Sequence, residues 1–411
     1  MALDKKTKVR LILFILAFVI AVGSFTVGVL SLGHRESGWY EVDPTAEAYA
    51  VTYDSGVHLL YYAEGRSGDI RQRINAAQQV FSESLARYDK LLDARNEYDD
   101  AVSIASISAA GGEPVVIGET LYGVLSDALE KTGEAKGYSL FAGALWREWE
   151  TLLYLDDPLD FDPINNPDEA ERLAALTEAI NRPESFELCL SEDDGYTAAL
   201  VLSPAYREME EAYEIDAPAL DLNALREAYL LDLVAGDMAE KGMTDGYLYT
   251  DSGLTALLSG GRDYRFDVYG LEEGKPMRVA SLSVGEPAVV CQCAAFAISG
   301  GSNGAYAVDE DGVAYLRHPR FDARTGGFHD VLLNAVLVSG ERRAADLAFE
   351  GLALHGLDSR SAVEAELAAQ GGETAAAWLW QGDEKALYAN EAATARLSMD
   401  PAGGYRLEAR P

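Results

Sequence analysis

Two acidic residues of the segment ADLAFEG have a spacing that could support metal chemistry. Asp346 and Glu350 are four residues apart, so both carboxylates would lie on one face of a helix. Mg²⁺ prefers a few hard oxygen ligands, and this pair could supply them. The alternative is an acidic face without a metal, with Asp346 near a helix start, where carboxylates are favoured. The spacing therefore predicts either a magnesium site or an ordinary acidic helix face.

Two of the three cysteines form a second pair with possible chemistry. Cys291 and Cys293 lie in VVCQCAAFAI, an alternating apolar run that is typical of a strand. Residues two apart on a strand share a face, so both thiols should point the same way. A redox or metal pair is one interpretation, but Cys-x-Cys alone is a weak metal signal and no His-rich motif stands nearby. We expect two small, buried, apolar residues.

The segment DLNALREAYLLD, residues 221–232, predicts a helix and its start. Asp221 and Asn223 are favoured N-cap residues. Apolar residues then recur at helical spacing, at Leu222, Leu225, Tyr229 and Leu233. Lys241 and Gly242 supply the cation and the left-handed residue that are common where helices end.

Composition and element order predict the fold class. With 411 residues, of which 48% are hydrophobic and 25% charged, the chain is expected to fold into a globular core. The formal charge of -35 argues against nucleic acid as a partner, because both molecules are anionic. Helical patterns precede a long run of strand patterns, with no extended linker between them. We therefore predict one α+β domain of mixed helices and antiparallel-rich sheets over residues 49–411.

The N-terminus predicts a membrane anchor. Residues 1–10 form a basic flank, and residues 11–32 are uncharged. A helix of that length spans about 33 Å, enough to cross a hydrocarbon core of about 30 Å. The basic flank should stay in the cytoplasm, so the predicted location is the cell membrane, with a single pass, a linker over 33–48 and an extracytoplasmic main domain. A cleaved signal peptide is the alternative, since Ser31 and Gly33 offer small residues at a cleavage site.

Taken in order from about Tyr49, these elements resemble the ApbE-type flavin transferases (FAD:protein FMN transferases). The family motif DLGGIAKGYAVD aligns without a gap onto residues 221–232. The matching positions are Asp221, Leu222, Tyr229 and Asp232. The family's two early glycines are replaced by Asn223 and Ala224, its lysine by Glu227 and the following glycine by Ala228.

Three further landmarks carry the resemblance. The family's Ser-Gly turn corresponds to Ser299 and Gly300. Its histidine-containing turn corresponds to PRFDARTG, which keeps Asp322, Thr325 and Gly326; Pro319 holds the histidine position, one residue after His318. Its metal-binding helix corresponds to ADLAFEG, which keeps Asp346 and has Glu350 at the threonine position.

The resemblance implies an activity and a set of site residues. It implies Mg²⁺-dependent transfer of FMN from FAD to a threonine or serine of an exported or membrane partner, such as an electron-transfer protein. The implied flavin-binding residues are Asp221, Tyr229, Ser299, Gly300, Asp322, Thr325 and Gly326. Asp346 and Glu350 are the implied metal ligands. His318 is the implied base, if the one-residue shift is absorbed; the alternative for His318 and for His329 is an exposed loop histidine without a role.

The departures from the family motif support a second hypothesis. Side chains at Asn223 and Ala224 would obstruct the approach of a pyrophosphate to the backbone. Glu227 would place a carboxylate near phosphate charge, and like charges about 5 Å apart repel by roughly 3 kcal/mol at an effective dielectric of 20. The alternative to an active transferase is thus a catalytically inactive, membrane-anchored accessory or flavin-binding protein of the same fold.

Overall fold

The computed structural model describes residues 36–52, 55–134, 136–193, 195–258, 261–285, 287–298, 304–310, 313–382 and 384–410. The predicted anchor, residues 11–32, and its basic flank lie outside these ranges. Within the described ranges, no helix is both long enough and apolar enough to cross a membrane.

Helices α1 to α11 are numbered in chain order. They are Ala46–Thr52, Ser67–Leu91, Ile104–Ala109, Glu119–Gly133, Gly143–Tyr154, Pro167–Ile180, Pro204–Ala212, Arg226–Glu240, Ala344–His355, Arg360–Ala369 and Glu391–Thr394. A short 3-10 helix, Asn223–Leu225, leads directly into α8. Local sequence explains several of these boundaries: Asn166 caps α6 ahead of a proline in its first turn, and Lys241 and Gly242 end α8.

Strands β1 to β17 are numbered in the same way. They are Gly38–Glu41, Val57–Ala63, Val115–Val116, Phe186–Ser191, Thr197–Leu202, Gly246–Thr250, Leu254–Leu257, Tyr264–Glu272, Lys275–Val284, Ala288–Ala294, Tyr306–Glu310, Val313–Arg317, Leu332–Ser339, Ala375–Trp380, Ala386–Ala389, Leu397–Met399 and Arg406–Ala409. Among the described residues, nine of them form one sheet in the order β1-β2-β6-β7-β10-β13-β14-β15-β17. Its neighbouring strands are antiparallel except for β15 and β17, as the antiparallel-rich prediction requires.

The large sheet is buried on both faces. One face packs against α2, α8 and α9, and the other packs against the small sheet β8-β9-β16. The alternation along β13 shows this directly, because Leu337 points into the helical core while Val336 and Val338 point into the second core. The helices that carry Tyr229 and Asp346 are therefore fixed against a rigid support.

The N-terminal part of the predicted domain needs a correction. The sequence pattern predicts a two-strand hairpin over 50–65, but residues up to Thr52 belong to helix α1, and among the described residues of this range only Val57–Ala63 forms a strand. Strand β2 instead pairs with β1, where Gly38 lies opposite Ala63. Residues 38–41 are consequently part of the sheet and not of the predicted linker, 33–48.

The buried-thiol interpretation of the cysteine pair is confirmed. Cys291 and Cys293 are both buried on β10, and their Sγ atoms are 3.3 Å apart. A Cβ atom on Gly351 of α9 would lie 2.2 Å from the Cys293 sulfur. The absence of a side chain at Gly351 thus allows α9 to pack directly on the two thiols.

Candidate functional site

The turn that aligns with the family motif has a left-handed residue at its third position. Asn223 has a φ of +43°, in the left-handed region that favours glycine and that asparagine tolerates. Its side-chain amide donates to the carbonyl of Ser139 at 3.0 Å and accepts from the amide of Ala224 at 2.8 Å. Asn223 therefore adopts a conformation that glycine also favours, and its side chain bonds within the turn.

Asp221 is a buried carboxylate at the start of this turn. It is 5% exposed, and its Oδ1 accepts the amide of Asn223 at 2.6 Å. Burial raises the pKa of Asp221, and the hydrogen bond from Asn223 only partly offsets the effect. The predicted N-cap role of Asp221 and Asn223 is wrong, because Leu222 and Leu225 hold the N-cap positions of the 3-10 helix and of α8 without side-chain capping bonds. Asp221 instead stabilises the turn before the 3-10 helix, and it forms no salt bridge to a described residue.

Glu227 accepts a hydrogen bond from a backbone amide that could otherwise bind an anion. Its Oε2 accepts the backbone N–H of Ser252 at 3.1 Å. A Cβ atom on Gly56, which has a φ of +68°, would lie 2.5 Å from Oε1, so the carboxylate is tightly packed. Burial raises the pKa of Glu227. Free backbone N–H groups are the donors that hold phosphates in nucleotide sites, and here an internal carboxylate uses one of them.

Two cavities open beside the turn. The larger has a volume of about 440 Å³, and the acidic side chains in its lining outnumber the basic ones. The smaller, of about 100 Å³, lies between Glu227, Ser252 and Arg320. Trp146 lines both. The turn thus faces a space large enough for a small ligand.

The second aligned turn, around Asp322, is held together by hydrogen bonds between its own side chains. Asp322 is 1% exposed and accepts from Arg324 Nη2 at 2.8 Å and from His329 Nε2 at 3.1 Å. Burial alone would raise the pKa of Asp322, but the hydrogen bonds from Arg324 and then His329 outweigh it and lower the pKa. Asp322 is therefore already saturated by internal partners.

Gly326 fixes the shape of the same turn. Its φ is +70°, and a Cβ atom there would lie 1.9 Å from Thr177 Oγ1. Trp149 Nε1 donates to the carbonyl of Gly326 at 2.9 Å. Thr325 contributes its amide to the carbonyl of Asp322 at 3.1 Å. The predicted Asp-Thr-Gly group is thus a tight turn packed against α5 and α6.

The two turns are neighbours, as the alignment requires. Ser139 accepts from Asn223, and two residues earlier the carbonyl of Gly137 accepts from the amide of Ala323 at 2.8 Å. A Cβ atom on Gly137 would lie 3.2 Å from Asp322 Oδ1. Residues 137–139 therefore bridge the altered turn and the retained turn.

Asp346, the predicted metal ligand, is bound by two side-chain cations. Its Oδ1 lies 3.0 Å from Lys131 Nζ and 2.8 Å from Arg343 Nη2. Both cations also bind Asp127, which accepts from the hydroxyl of Tyr229 at 2.7 Å. Burial alone would raise the pKa of Asp346, but Arg343 and then Lys131 outweigh it and lower the pKa. Tyr229 thus belongs to a network that joins α8, α4 and α9.

Glu350, the second predicted metal ligand, has different neighbours from Asp346. It is buried, and its nearest cation is Arg342, at 3.7 Å. Burial raises its pKa, and the charge of Glu366 adds to the rise. In the part of the chain that is described, no three side chains of metal-binding type form a cluster. With Asp346 held by Lys131 and Arg343, these residues do not fit a hydrated Mg²⁺ ion, and the predicted metal site stays a prediction.

Asp232, the last residue of the aligned motif, has a structural role. Its two carboxylate oxygens accept the amides of Ala344 and Ala345 at 2.7 and 2.9 Å. They satisfy free N–H groups in the first turn of α9, the helix of Asp346. Burial raises the pKa of Asp232 to about 6. The motif aspartate therefore holds one helix of the site against another.

The expectation of an exposed His318 is wrong. The residue is 2% exposed, its Nδ1 accepts the amide of Arg320 at 3.2 Å, and its ring packs on those of Phe328 and His355. Burial lowers the pKa of His318 well below its ordinary value, so the ring is neutral. Its predicted role as a base remains untested. His329 is the histidine that contacts an aspartate of the site.

Ser299 and Gly300, two predicted flavin-binding residues, lie outside the described residues. Other residues at the site have no signal in the sequence. Asp127, Lys131 and Trp146 precede Asp221 by 94, 90 and 75 residues, and only the tertiary fold brings them to the aligned motif.

Comparison with solved structures identifies the fold. The ApbE protein of Thermotoga maritima superposes with a TM-score of 0.56 at 11% identity, covering 84% of this chain and 94% of its own. The flavin transferase ApbE of Vibrio cholerae gives 0.56 at 15% identity, covering 88% and 99%. The flavinyl transferase ApbE of Pseudomonas stutzeri gives 0.53 at 15% identity, covering 85% and 93%. No family model and no curated protein matches the sequence. The resemblance to the ApbE proteins is confirmed at the level of the fold.

Proposed function

We propose that this chain is a non-catalytic protein of the ApbE fold. In this proposal residues 11–32 tether it to the cell membrane, and the main domain acts outside the cytoplasm as an accessory to a flavin-carrying electron-transfer protein. The observation that carries the proposal is the state of Asp346, whose carboxylate is bound by Lys131 and Arg343.

Transfer of FMN from FAD requires a site that neutralises the negative charge of the pyrophosphate. The pyrophosphate must be held and its charge neutralised while the phosphorus is attacked, which in such reactions is the work of a divalent cation and of backbone N–H groups. Here Lys131 and Arg343 bind Asp346, the carboxylate that would bind the metal. The backbone amide of Ser252 donates to Glu227. Asp346 and the amide of Ser252 are thus both occupied by internal partners and are not free to bind a metal ion or a phosphate.

FMN transfer is the second candidate, and one observation favours it. The Asp322 turn keeps the family residues Thr325 and Gly326, and residues 137–139 hold it next to the Asn223 turn. Two of the superposed proteins are named as flavin or flavinyl transferases. If Lys131 and Arg343 moved away on FAD binding, Asp346 would become available to a metal.

A transfer assay separates the two candidates. The full-length chain is incubated with FAD, Mg²⁺ and a peptide containing the threonine acceptor, and the peptide mass is measured; the Vibrio cholerae flavin transferase serves as the positive control. We expect no FMN-labelled peptide from this chain. Labelling above the enzyme-free background would refute the non-catalytic proposal and establish the second candidate.

A variant tests the reason given for inactivity. Replacing Lys131 by Met and Arg343 by Gln removes both cations from Asp346, so Mg²⁺ should then raise the unfolding temperature, because a ligand that binds the folded state stabilises it. The wild-type chain and the exposed control Lys241→Met should show no Mg²⁺-dependent rise. An equal rise in all three proteins would mean that the metal binds elsewhere and that Asp346 is not the controlling residue.

A further inference from the structure

Aromatic side chains form a continuous cluster on the face of the large sheet opposite helix α8. They come from strands β1, β2, β6 and β8, and they are Trp39, Tyr62, Tyr247, Tyr249 and Tyr264. Leu248 of β6 points into the helical core, so its neighbours Tyr247 and Tyr249 point to the other face of the sheet. Trp39 is 41% exposed. The cluster is therefore an aromatic surface that a ligand can reach from solvent.

A cavity of about 320 Å³ adjoins this cluster. It lies between the outer face of β6 and β7 and the first residues of β8, the edge strand of the small sheet. Its lining combines aromatic, aliphatic and polar groups, among them Tyr247, Tyr264, Leu60, Thr255, Arg265 and Gln292. The volume and the mixed lining suit a small ligand, or one or two units of a longer chain.

Tyr264 brings a polar group without a partner to this cavity. The residue is 7% exposed, and its hydroxyl has no hydrogen-bond partner among the described residues. Its ring contacts that of Tyr247, at 5.7 Å between centroids, and the side chain forms part of the cavity wall. Buried tyrosine hydroxyls usually have a partner, because an unpaired one costs free energy. A ligand hydroxyl in the cavity would supply the missing partner.

The lining matches the chemistry of a carbohydrate. The C–H groups on the faces of a sugar ring carry partial positive charge, and they pack on the negative faces of aromatic rings. The hydroxyl groups of a sugar need both donors and acceptors, which Tyr264, Arg265 and Gln292 supply. The formal charge of -35 disfavours an acidic polysaccharide, so a neutral sugar is the better match.

The arrangement of the rings indicates the shape of the sugar chain. Successive ring centroids from Tyr249 through Tyr247 and Trp39 to Tyr62 are 6.1, 5.6 and 5.4 Å apart, so the rings form a connected series. A β-1,4-linked chain of pyranose rings is a flat ribbon, and several of its rings can lie along such a series. An α-1,4-linked chain coils and would contact fewer of the aromatic rings.

Two observations disfavour a peptide as the ligand. A peptide strand added to β8 would need the carbonyl groups of that strand. The carbonyl of Asp267 already accepts the side-chain amide of Gln292 at 3.2 Å. That of Tyr269 accepts the side-chain amide of Asn334 at 2.8 Å. A proline-rich peptide binds in grooves lined by aromatic rings, whereas the rings around Trp39 contact one another, with centroids 5.4 to 6.1 Å apart, and offer a surface for stacking.

We propose that the aromatic cluster and the 320 Å³ cavity form a binding site for a neutral β-1,4-linked oligosaccharide. The sugar rings stack on Trp39 and Tyr247, and a sugar hydroxyl pairs with the hydroxyl of Tyr264. The site is independent of whether the protein transfers FMN, because it lies on the face of the large sheet opposite α8 and uses none of the residues that bind Asp346.

Calorimetric titration of the full-length chain with cellotetraose and chitotetraose tests the proposal. We expect at least one of these β-1,4-linked tetrasaccharides to bind more tightly than its own disaccharide, because it covers more of the aromatic rings. It should also bind more tightly than the α-1,4-linked maltotetraose. The affinity should change little as salt is added, since these sugars are uncharged.

Two pairs of variants locate the site. Trp39→Ala removes the most exposed ring of the cluster and should weaken tetrasaccharide binding by about tenfold. Its control Phe161→Ala, at another exposed aromatic residue, should leave binding unchanged. Tyr264→Phe removes only the hydroxyl and should weaken binding by about fivefold. Its matched control Tyr206→Phe, at a second buried tyrosine whose hydroxyl lacks a partner among the described residues, should have no effect.

Three results would overturn the proposal. The first is that a chain whose folding is verified by circular dichroism binds neither β-1,4-linked tetrasaccharide, or binds both no more tightly than maltotetraose. The second is equal affinity in each variant and its control, which would mean that the sugar binds elsewhere. The third is binding of a proline decapeptide that Trp39→Ala abolishes, which would assign the cluster to a peptide. FMN transfer with intact sugar binding would refute the proposed function alone.

Discussion

Asp221 and Asp322 lie in two neighbouring turns, and both are almost completely buried, yet their carboxylates have opposite surroundings. Asp322 accepts from Arg324 and His329, which lower its pKa. Asp221 accepts one backbone amide beside an acidic cavity, and burial raises its pKa. Both residues match the family pattern, but Asp322 is paired with internal cations, whereas Asp221 forms no salt bridge to a described residue. A retained residue type is therefore not sufficient to show a retained role.

The largest effect on stability is expected from adding a side chain at Gly326. Gly326→Ala should destabilise the fold by about 2–4 kcal/mol, because it combines a left-handed backbone with an overlap against Thr177. Urea unfolding measures the change. Gly123→Ala, within helix α4 with nothing within 4 Å of the added carbon, is the control and should stabilise by up to about 1 kcal/mol. Equal effects would show that the Asp322 turn is not rigid.

The next largest effect on stability is expected from a change of Asp322 itself. Asp322→Asn should destabilise by about 2 kcal/mol at neutral pH, because it removes the charge-assisted hydrogen bonds from Arg324 and His329. Since the folded pKa of Asp322 is lowered, its contribution is present above the unfolded pKa of about 4 and is lost as pH falls through the folded value. A loss of stability that is unchanged at the lowest accessible pH would contradict this ion-pair origin.

Charge at the altered turn should control anion binding. Glu227→Lys is expected to tighten ADP binding by about tenfold or more, because it replaces an anion in the cavity by a cation. Glu227→Gln should fall between the two, and Glu240→Lys, at the exposed end of the same helix, should have no effect. Calorimetric titration measures the affinities. If Glu227→Lys and Glu240→Lys bind ADP alike, the turn no longer faces a ligand cavity.

The smallest effect on stability is expected at Asp221, and its sign is opposite to that expected at Asp322. Asp221→Asn should leave stability unchanged or raise it by about 1 kcal/mol at neutral pH, because a buried carboxylate without a cation is replaced by a neutral amide. The folded pKa of Asp221 is raised, so any gain should vanish as pH falls below it and the wild-type side chain becomes protonated. A large destabilisation at neutral pH would mean that the negative charge of Asp221 is stabilising.

Sequence patterns identified much of the scaffold. The apolar stripe of α2, the Asn166-capped helix α6 and the stop at Gly242 follow from local periodicity and capping, so they were predictable. The hairpin predicted over 50–65 failed because the register of β2 is set by β1 and β6, which lie far from the local pattern.

The site was less predictable than the scaffold. The alignment predicts that Asp221, Asp322 and Asp346 belong to one site, and the fold brings the turns of Asp221 and Asp322 together through residues 137–139. The partners that decide what these carboxylates can do are Lys131, Arg324 and Arg343, and a sequence gives no measure of which cation reaches which anion across a tertiary contact. His318 shows the same limit, because its burial depends on packing against Phe328 and His355.

Binding of FAD to the full-length chain in the presence of Mg²⁺, measured by flavin fluorescence, tests most directly whether this chain has lost dinucleotide binding. We expect the fluorescence to stay that of free FAD, because the turn at Asn223 presents carboxylates where a dinucleotide needs cations and free amides. Saturable, Mg²⁺-dependent quenching that Asp346→Asn abolishes would contradict it, since Asp346 would then hold a metal for FAD in place of Lys131 and Arg343.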